Sequence, residues 1–266
     1  MAHSISVDER TKALFKGCST EEILRRAQQV KEEAINKKGI CYGCISQLYF
    51  LETHLYKNPF YEEYLQQHGG LKDKKVVDVG CCLGLDTRQM LLDGLEYQNL
   101  AAFDVSKDFI SLGFQLFEET GSELASRFFA KSVLDTDLAT FIQERYHLIP
   151  CDLVLVNSVL HSFDEALAKV AVENVASLLK ADGCLLGYVP TKTDNPGQSS
   201  AGENGYRFYH TESSLQKLLE KNGFENIKVN TIPIEEMFPS FHPTQETGME
   251  GRIDVTFFKA NKKKTK

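Results

Sequence analysis

The sequence predicts an α/β chain: a doubly wound, seven-stranded, mostly parallel sheet whose last strand is antiparallel, preceded by a helical cap. Three observations lead there. From Lys74 onward, short apolar runs alternate with segments of helical period; a glycine-bearing turn follows the first run; and the last run is reached without a helix. Alternation at this rhythm implies parallel strands covered on both faces. A final strand entered from a loop is free to run antiparallel, because no crossover helix is needed.

The first 70 residues read as helix without strand. Ser19 and Thr20 are candidate caps for a helix over 19–37, with Glu21 and Glu22 at its positive end. Ile23, Leu24, Ala27, Val30 and Ala34 follow at helical spacing, and Gly39 stops the run. Residues 43–57 are rich in aromatics, residues 59–67 open on Pro59 at a first helical turn, and Gly69-Gly70 breaks the chain. The expected organisation is therefore a helical cap over 1–70 and a sheet-bearing core over 71–266.

Within the core, strands are predicted at 76–79, 100–103, 127–130, 152–156, 184–188, 225–230 and 252–259. Helices are predicted from the turn through Leu92, and at 109–119, 136–146, 165–179 and 213–221; Lys180 to Gly183 and Asn222-Gly223 end the last two. Residues 197–205 read as a glycine-rich loop, residues 231–250 as irregular with three prolines, and the lysine-rich end as a solvated tail.

Composition narrows the function. The chain has 266 residues, a formal net charge of −7, 42% hydrophobic and 25% charged residues, which are values of a globular protein and not of a disordered one. The acidic balance argues against a nucleic-acid partner. No run approaches the roughly 20 apolar residues of a membrane helix, and the N-terminus lacks a basic start followed by an apolar run, so no secretory leader is expected. Seven scattered cysteines favour reduced thiols in a cytoplasmic setting. Cys41-x-x-Cys44 has no second ligand pair, so no metal is expected.

The segment from Val76 to Thr87 carries the chemistry. Gly80 and Gly84 let the backbone turn tightly and approach a ligand. A nicotinamide fingerprint needs a glycine where Cys82 stands, and the Asp78 carboxylate, two residues before Gly80, repels a pyrophosphate while suiting a cationic group. The second strand ends in Asp104, where an acid can accept hydrogen bonds from both ribose hydroxyls. A ribose without phosphate, joined to a cationic amino acid, describes S-adenosylmethionine.

Asp78-x-Gly80-x-x-x-Gly84 followed by Asp104 resembles the first two motifs of class I S-adenosylmethionine-dependent methyltransferases. The resemblance covers roughly residues 71–260 and implies a Rossmann-like core binding S-adenosylmethionine. It places Cys81 in the cofactor turn, Val105 beside Asp104, Ser132 and Val133 at the adenine, and Asn157 facing the cofactor. Ser132 departs from the acid common there; Asp135 is a candidate substitute. Cys44 to Phe50, Asn58-Pro59-Phe60-Tyr61, Leu160-His161-Ser162-Phe163 and Phe208-Tyr209-His210 are similar to fungal meroterpenoid (austinol-type) methyltransferases, enzymes of secondary metabolism that methylate small molecules, typically at a carboxylate.

Methyl transfer from a sulfonium is an in-line displacement, so the protein mainly aligns the partners and excludes water. A phenol or amine acceptor adds a need for a base. His161 and His210 are the candidate catalytic residues, and Tyr49, Tyr206 and Arg207 the candidate acceptor-binding ones. The expected partner is a small-molecule acceptor with a carboxylate, hydroxyl or amine, without nucleic acid or membrane, and a homodimer is compatible. Competing readings are a protein or peptide methyltransferase, a non-catalytic cofactor-binding partner protein, and a nicotinamide oxidoreductase.

Overall fold

In a computed structural model of the chain, residues 7–39, 42–193, 197–199, 207–238 and 252–264 are described. The lead-in holds α1 (Glu9–Leu14), α2 (Thr20–Glu32) and α3 (Gly43–Ser46), then α4 (Pro59–His68). Asp8 and Ser19 cap the first two helices through their side-chain oxygens, and α2 runs on as a π-helical turn over Glu33–Lys37. Asn58 caps α4, accepting from Phe60 N at 3.0 Å, while its amide donates to the Gly187 carbonyl at 3.2 Å. That one residue ties the lead-in to the sheet.

The core alternates β1 (Val76–Val79), α5 (Leu85–Leu92), β2 (Leu100–Asp104), α6 (Lys107–Leu116), β3 (Phe128–Ala130), α7 (Leu138–Tyr146), β4 (Cys151–Asn157), α8 (Glu165–Leu178) and β5 (Leu179–Lys192). Two short strands, β6 (Gly197–Ser199) and β7 (Arg207–Tyr209), pair antiparallel where an open loop is expected. Next come α9 (Glu212–Lys221), β8 (Phe224–Pro233), α10 (Ile234–Met237) and β9 (Ile253–Lys262). Strand β5 takes in the predicted turn at 180–183, through a register shift opposite Cys151 and Leu153. Strand β8 runs on through Pro233, which an edge strand tolerates, and α10 occupies part of the segment expected to be irregular.

The sheet order is β3-β2-β1-β4-β5-β9-β8; β9 is antiparallel to both neighbours and every other pairing is parallel. The order reverses between β1 and β4, and a crevice opens beyond the carboxyl ends of strands at such a point. Alternation sends Val77 and Val79 into a core with α7, α8 and α9. Val76, Leu100 and Leu155 face the opposite layer, with Tyr61 and Tyr64 of α4 and Met90 of α5. The first two helices pack instead against Leu112 and Leu116 of α6 and against Leu83 and Leu85 beside the turn. The lead-in thus shares its core with the sheet layers. Among the described residues no helix is long and apolar enough to cross a membrane.

Candidate active site

A cavity of about 570 Å³ occupies the crevice. One end is built by strand tips and the first strand-to-helix turn. Gly80 and Gly84 both have positive φ, +71° and +76°, and a Cβ on Gly80 would stand 2.4 Å from Val159 Cγ2. The turn is fastened from behind by Arg88, which donates to the Leu83 and Gly84 carbonyls at 3.1 and 3.0 Å and pairs with Glu119 at 2.8 Å.

Three carboxylates line this end: Asp78, Asp86 and Asp104. Asp78 is buried and accepts from the Thr87 hydroxyl. Burial lifts its carboxyl to about 7 against the Thr87 bond, and the Asp86 and Asp104 charges add to the rise. Asp86 accepts from Asn157 Nδ2 at 2.7 Å and Leu55 N at 3.2 Å, and burial lifts it to about 6. Asp104 accepts from Cys82 N at 3.0 Å and Ser106 N at 2.9 Å; burial raises it while those bonds oppose the rise. None of the three joins an ion pair among the described residues. The Asn157 side-chain oxygen is buried without a hydrogen-bond partner.

The other end is aromatic and comes from distant segments. Tyr49 packs on Phe238, just past α10, at 4.9 Å between ring centroids. His54 meets Phe238 edge-on at 5.1 Å and Tyr188 of β5 at 5.6 Å, and the Tyr188 hydroxyl lies 3.0 Å from His54 Nδ1. Burial and Lys57 push His54 down to about 3. Burial drives Tyr188 well above its ordinary range, and the charges of Asp86, Cys44 and Cys82 add to that. His161, just past β4, also lines the cavity.

A family model described as a methyltransferase domain matches residues 25–229. The chain belongs to that family. This methyltransferase is 31% identical over 203 residues to Methyltransferase prhM of Penicillium brasilianum, spanning 76% of this chain and 70% of that protein. It is 30% identical over 203 residues to Methyltransferase ausD of the same organism, with the same coverage. The similarity to fungal meroterpenoid enzymes read from the sequence is therefore upheld. Its fold is similar to that of the Burkholderia thailandensis 1,6-didemethyltoxoflavin-N1-methyltransferase solved with 1,6-didemethyltoxoflavin and S-adenosylhomocysteine. The TM-score is 0.57 at 16% identity, covering 99% of this chain and 94% of that one.

The methyltransferase uses S-adenosylmethionine, and the residues present fit that donor. It carries a cationic ammonium and sulfonium, and the cavity presents three carboxylates without a paired cation. When bound it supplies a methyl group on positively charged sulfur. Asp78, Gly80, Cys81, Asp104, Val105, Ser132, Val133 and Asn157 all line the cavity; Gly84 closes the turn behind it. Ser132 spends its hydroxyl locally, accepting from Leu134 N at 3.1 Å. Asp135 accepts from Ser132 N at 3.2 Å and pairs with Lys131, so it supports the turn and does not line the cavity. The thiols of Cys81 and Cys82 are raised well above the ordinary range, Cys81 by burial and Cys82 by a hydrogen bond with Cys44, so neither is an activated thiolate.

The residues that the sequence proposes for the acceptor and for catalysis come together only in part. Tyr49 and His161 line the cavity. His210 does not: it sits before α9 with Nδ1 3.3 Å from Ser214 Oγ, its ring against Phe208, and burial pushes it down to about 4. Tyr206 and the Arg207 side chain lie outside the described residues. Sequence reasoning missed Asp86, His54, Tyr188 and Phe238 as site residues. Asp86 was legible, standing in the first turn of α5 within the motif itself. His54 and Phe238 carry no local signal.

Proposed function

We propose that this methyltransferase transfers a methyl group to a small, mostly apolar acceptor held beside the donor within one cavity. The observation that carries the reading is continuity: the carboxylate-lined end and the aromatic end form a single space. Asp104 holds the ribose hydroxyls, Asp86 and Asp78 face the cationic amino-acid end, and Ser132, Val133 and Val105 flank the adenine. Tyr49, Tyr188 and Phe238 wall the acceptor and exclude water, which strengthens every polar contact inside. The aromatic wall supports a small molecule over a peptide, and the bound 1,6-didemethyltoxoflavin of the Burkholderia enzyme is in keeping with that. His161, at the carboxyl edge of β4, stays as an acceptor contact, and His210 is left out of the reacting groups. None of the six described cysteines is in a disulfide, which supports a reducing, cytoplasmic setting.

Calorimetry on the full chain tests the donor half: S-adenosylhomocysteine binds and NAD does not. An acceptor screen with isotopically labelled S-adenosylmethionine, read by mass spectrometry, tests the other half. Labelled small-molecule product is the expected result; label on peptides alone overturns the small-acceptor reading.

A further inference from the structure

We infer that Tyr188 is the hydrogen-bond donor that holds the methyl-accepting oxygen, with His54 turning the phenol proton toward that oxygen. Tyr188 is then a catalytic residue that touches the acceptor, and His54 a positioning residue that acts through it. This deepens the small-acceptor reading above and rests on it.

The first support is placement. Tyr188 pairs in register with Asn157, whose amide reaches Asp86. The charges acting on its phenol belong to Asp86, Cys44 and Cys82, while its hydroxyl reaches His54 at the aromatic end. Tyr188 and His54 both line the cavity, so the phenol sits where the two ends meet. It is 4% exposed, and packing on Phe257 at 6.0 Å and His54 at 5.6 Å fixes the ring.

The second support is the hydrogen-bond inventory. His54 is bonded to the Tyr49 backbone carbonyl, and its Nε2 is buried without a partner. A carbonyl only accepts, so Nδ1 carries the ring proton and has no lone pair. The 3.0 Å contact between Nδ1 and the Tyr188 hydroxyl is therefore donated by His54, as the second branch of a shared bond. Ser158 donates to the same phenol oxygen. Both lone pairs of that oxygen are thereby engaged, and among the described residues nothing accepts its proton. Burial keeps the imidazole neutral and the phenol protonated, so the arrangement holds around neutral pH.

The third support is what such a donor can do. A buried proton without a partner is costly, and an oxygen of the bound acceptor supplies the missing partner. Fixing that oxygen where the two ends meet aligns it with the methyl group. The pair offers a proton and no lone pair, so it does not deprotonate the acceptor. The oxygen it suits arrives ionised, as a carboxylate does at neutral pH. In the transfer, a lone pair of the carboxylate oxygen forms the new C–O bond as the S–C pair returns to sulfur. The Tyr188 proton stays on its own oxygen. An ester and a thioether result from an anion and a cation, with charge conserved. Glu52, Asp78, Asp86 and Asp104 on the cavity wall would repel the anion alone; the cationic groups of the donor offset them, so the acceptor follows the donor.

The test uses the full chain saturated with sinefungin, a donor analogue with an amine in place of the methyl sulfonium. Failure of sinefungin to bind would sink the donor reading itself, and is seen before any acceptor is added. Calorimetry then compares 2-naphthoate with 2-methylnaphthalene, which fills an apolar pocket without a hydrogen-bonding group; both are expected to bind. Failure of both overturns the small-acceptor reading and the proposal with it, whereas binding of the hydrocarbon alone overturns only the proposal. In Tyr188→Phe, kcat/KM for methylation of 2-naphthoate should fall about ten-fold or more, while sinefungin and 2-methylnaphthalene bind within about two-fold of the parent. An equal loss for the hydrocarbon would give Tyr188 a merely structural role. His54→Gln, which keeps an N–H for the phenol, should retain more naphthoate turnover than His54→Leu; the reverse order removes His54 from its part. On the parent, at saturating S-adenosylmethionine, kcat/KM for 2-naphthoate should be level from about pH 7.5 to about pH 9, because no proton moves. A rise of about ten-fold across that interval would reveal a base and overturn the proposal, whether or not a variant folds.

Discussion

The two ends of the cavity are made differently. The carboxylate-lined end, proposed for the donor, is backbone: one turn, three strand tips, and carboxylates held by main-chain N–H groups, a hydroxyl and an amide. The aromatic end, proposed for the acceptor, is side chain: rings from the lead-in, from β5 and from the residue after α10, with His54 and Tyr188 separated by 134 positions. A backbone-built site loses binding through strain, and a side-chain-built one changes its selectivity while the fold survives. Substitutions at the donor end should therefore be costly and general, and those at the acceptor end milder and ligand-specific.

The largest effect is expected at Gly80. A Cβ there would stand 2.4 Å from Val159 Cγ2, at a φ of +71°, and valine is stiff at χ1. Gly80→Ala should destabilise the fold by about 2–4 kcal/mol and abolish measurable binding of S-adenosylhomocysteine. Thermal unfolding and calorimetry check both. A variant as stable as the parent, still binding, would show that the turn has slack and that the contrast between the two ends is overstated.

Next comes Asp104→Ala. Its oxygens accept from Cys82 N and Ser106 N, so removal loosens the turn as well as any bond to ribose. Donor binding should weaken by roughly 1.5–3 kcal/mol with the fold retained, read by calorimetry. Unchanged affinity would take Asp104 out of the site.

That contrast also explains what was legible beforehand. Asp78, Gly80, Gly84 and Asp104 lie within 27 residues, on one strand, one turn and the next strand, so order and spacing suffice to place them. The sheet is equally legible, because strand and helix periods are local. The pairing of β6 with β7 escaped notice because three-residue strands carry almost no pattern, and the extension of β5 because it needs a register shift against β4. His54 carries no local signal within the aromatic-rich segment 43–57. Its meaning depends on Tyr188 and Phe238, which only long-range folding brings to it. His210 misled in the opposite way: it follows an apparent loop, yet its backbone is tied to the end of β5 through Lys192 N at 2.9 Å.

A smaller effect is expected from pH. Burial lifts Asp86 to about 6 and Asp78 to about 7 in the free protein. Raised carboxyls hold protons below those values, and a cationic ligand binds the ionised form better. Affinity for S-adenosylmethionine should rise about ten-fold from about pH 5.5 to about pH 7.5 and then level off, with proton release. The unliganded fold follows the opposite sign. The unfolded chain gives up these protons from about pH 4, so stability falls as pH climbs through the folded-state values. Asp86→Asn should flatten the binding profile and weaken affinity at the upper end. A profile as steep as the parent's would assign the titration to Asp78 alone.

The smallest effect is expected from His210→Gln, and it probes the acceptor side of the contrast. His210 is 2% exposed, outside the cavity wall, with Nε2 unpartnered and Nδ1 near Ser214. Burial already keeps the ring neutral, so glutamine replaces one uncharged polar group by another of similar reach. Donor affinity should stay within about 0.5 kcal/mol of the parent and turnover within about two-fold, since nothing touching the reactants is altered. His161→Gln, on the cavity wall, is the matched control, and its loss should be larger and depend on the acceptor. If His210→Gln were the more damaging of the two, His210 would belong among the reacting groups, and the acceptor end would extend beyond the rings that now define it.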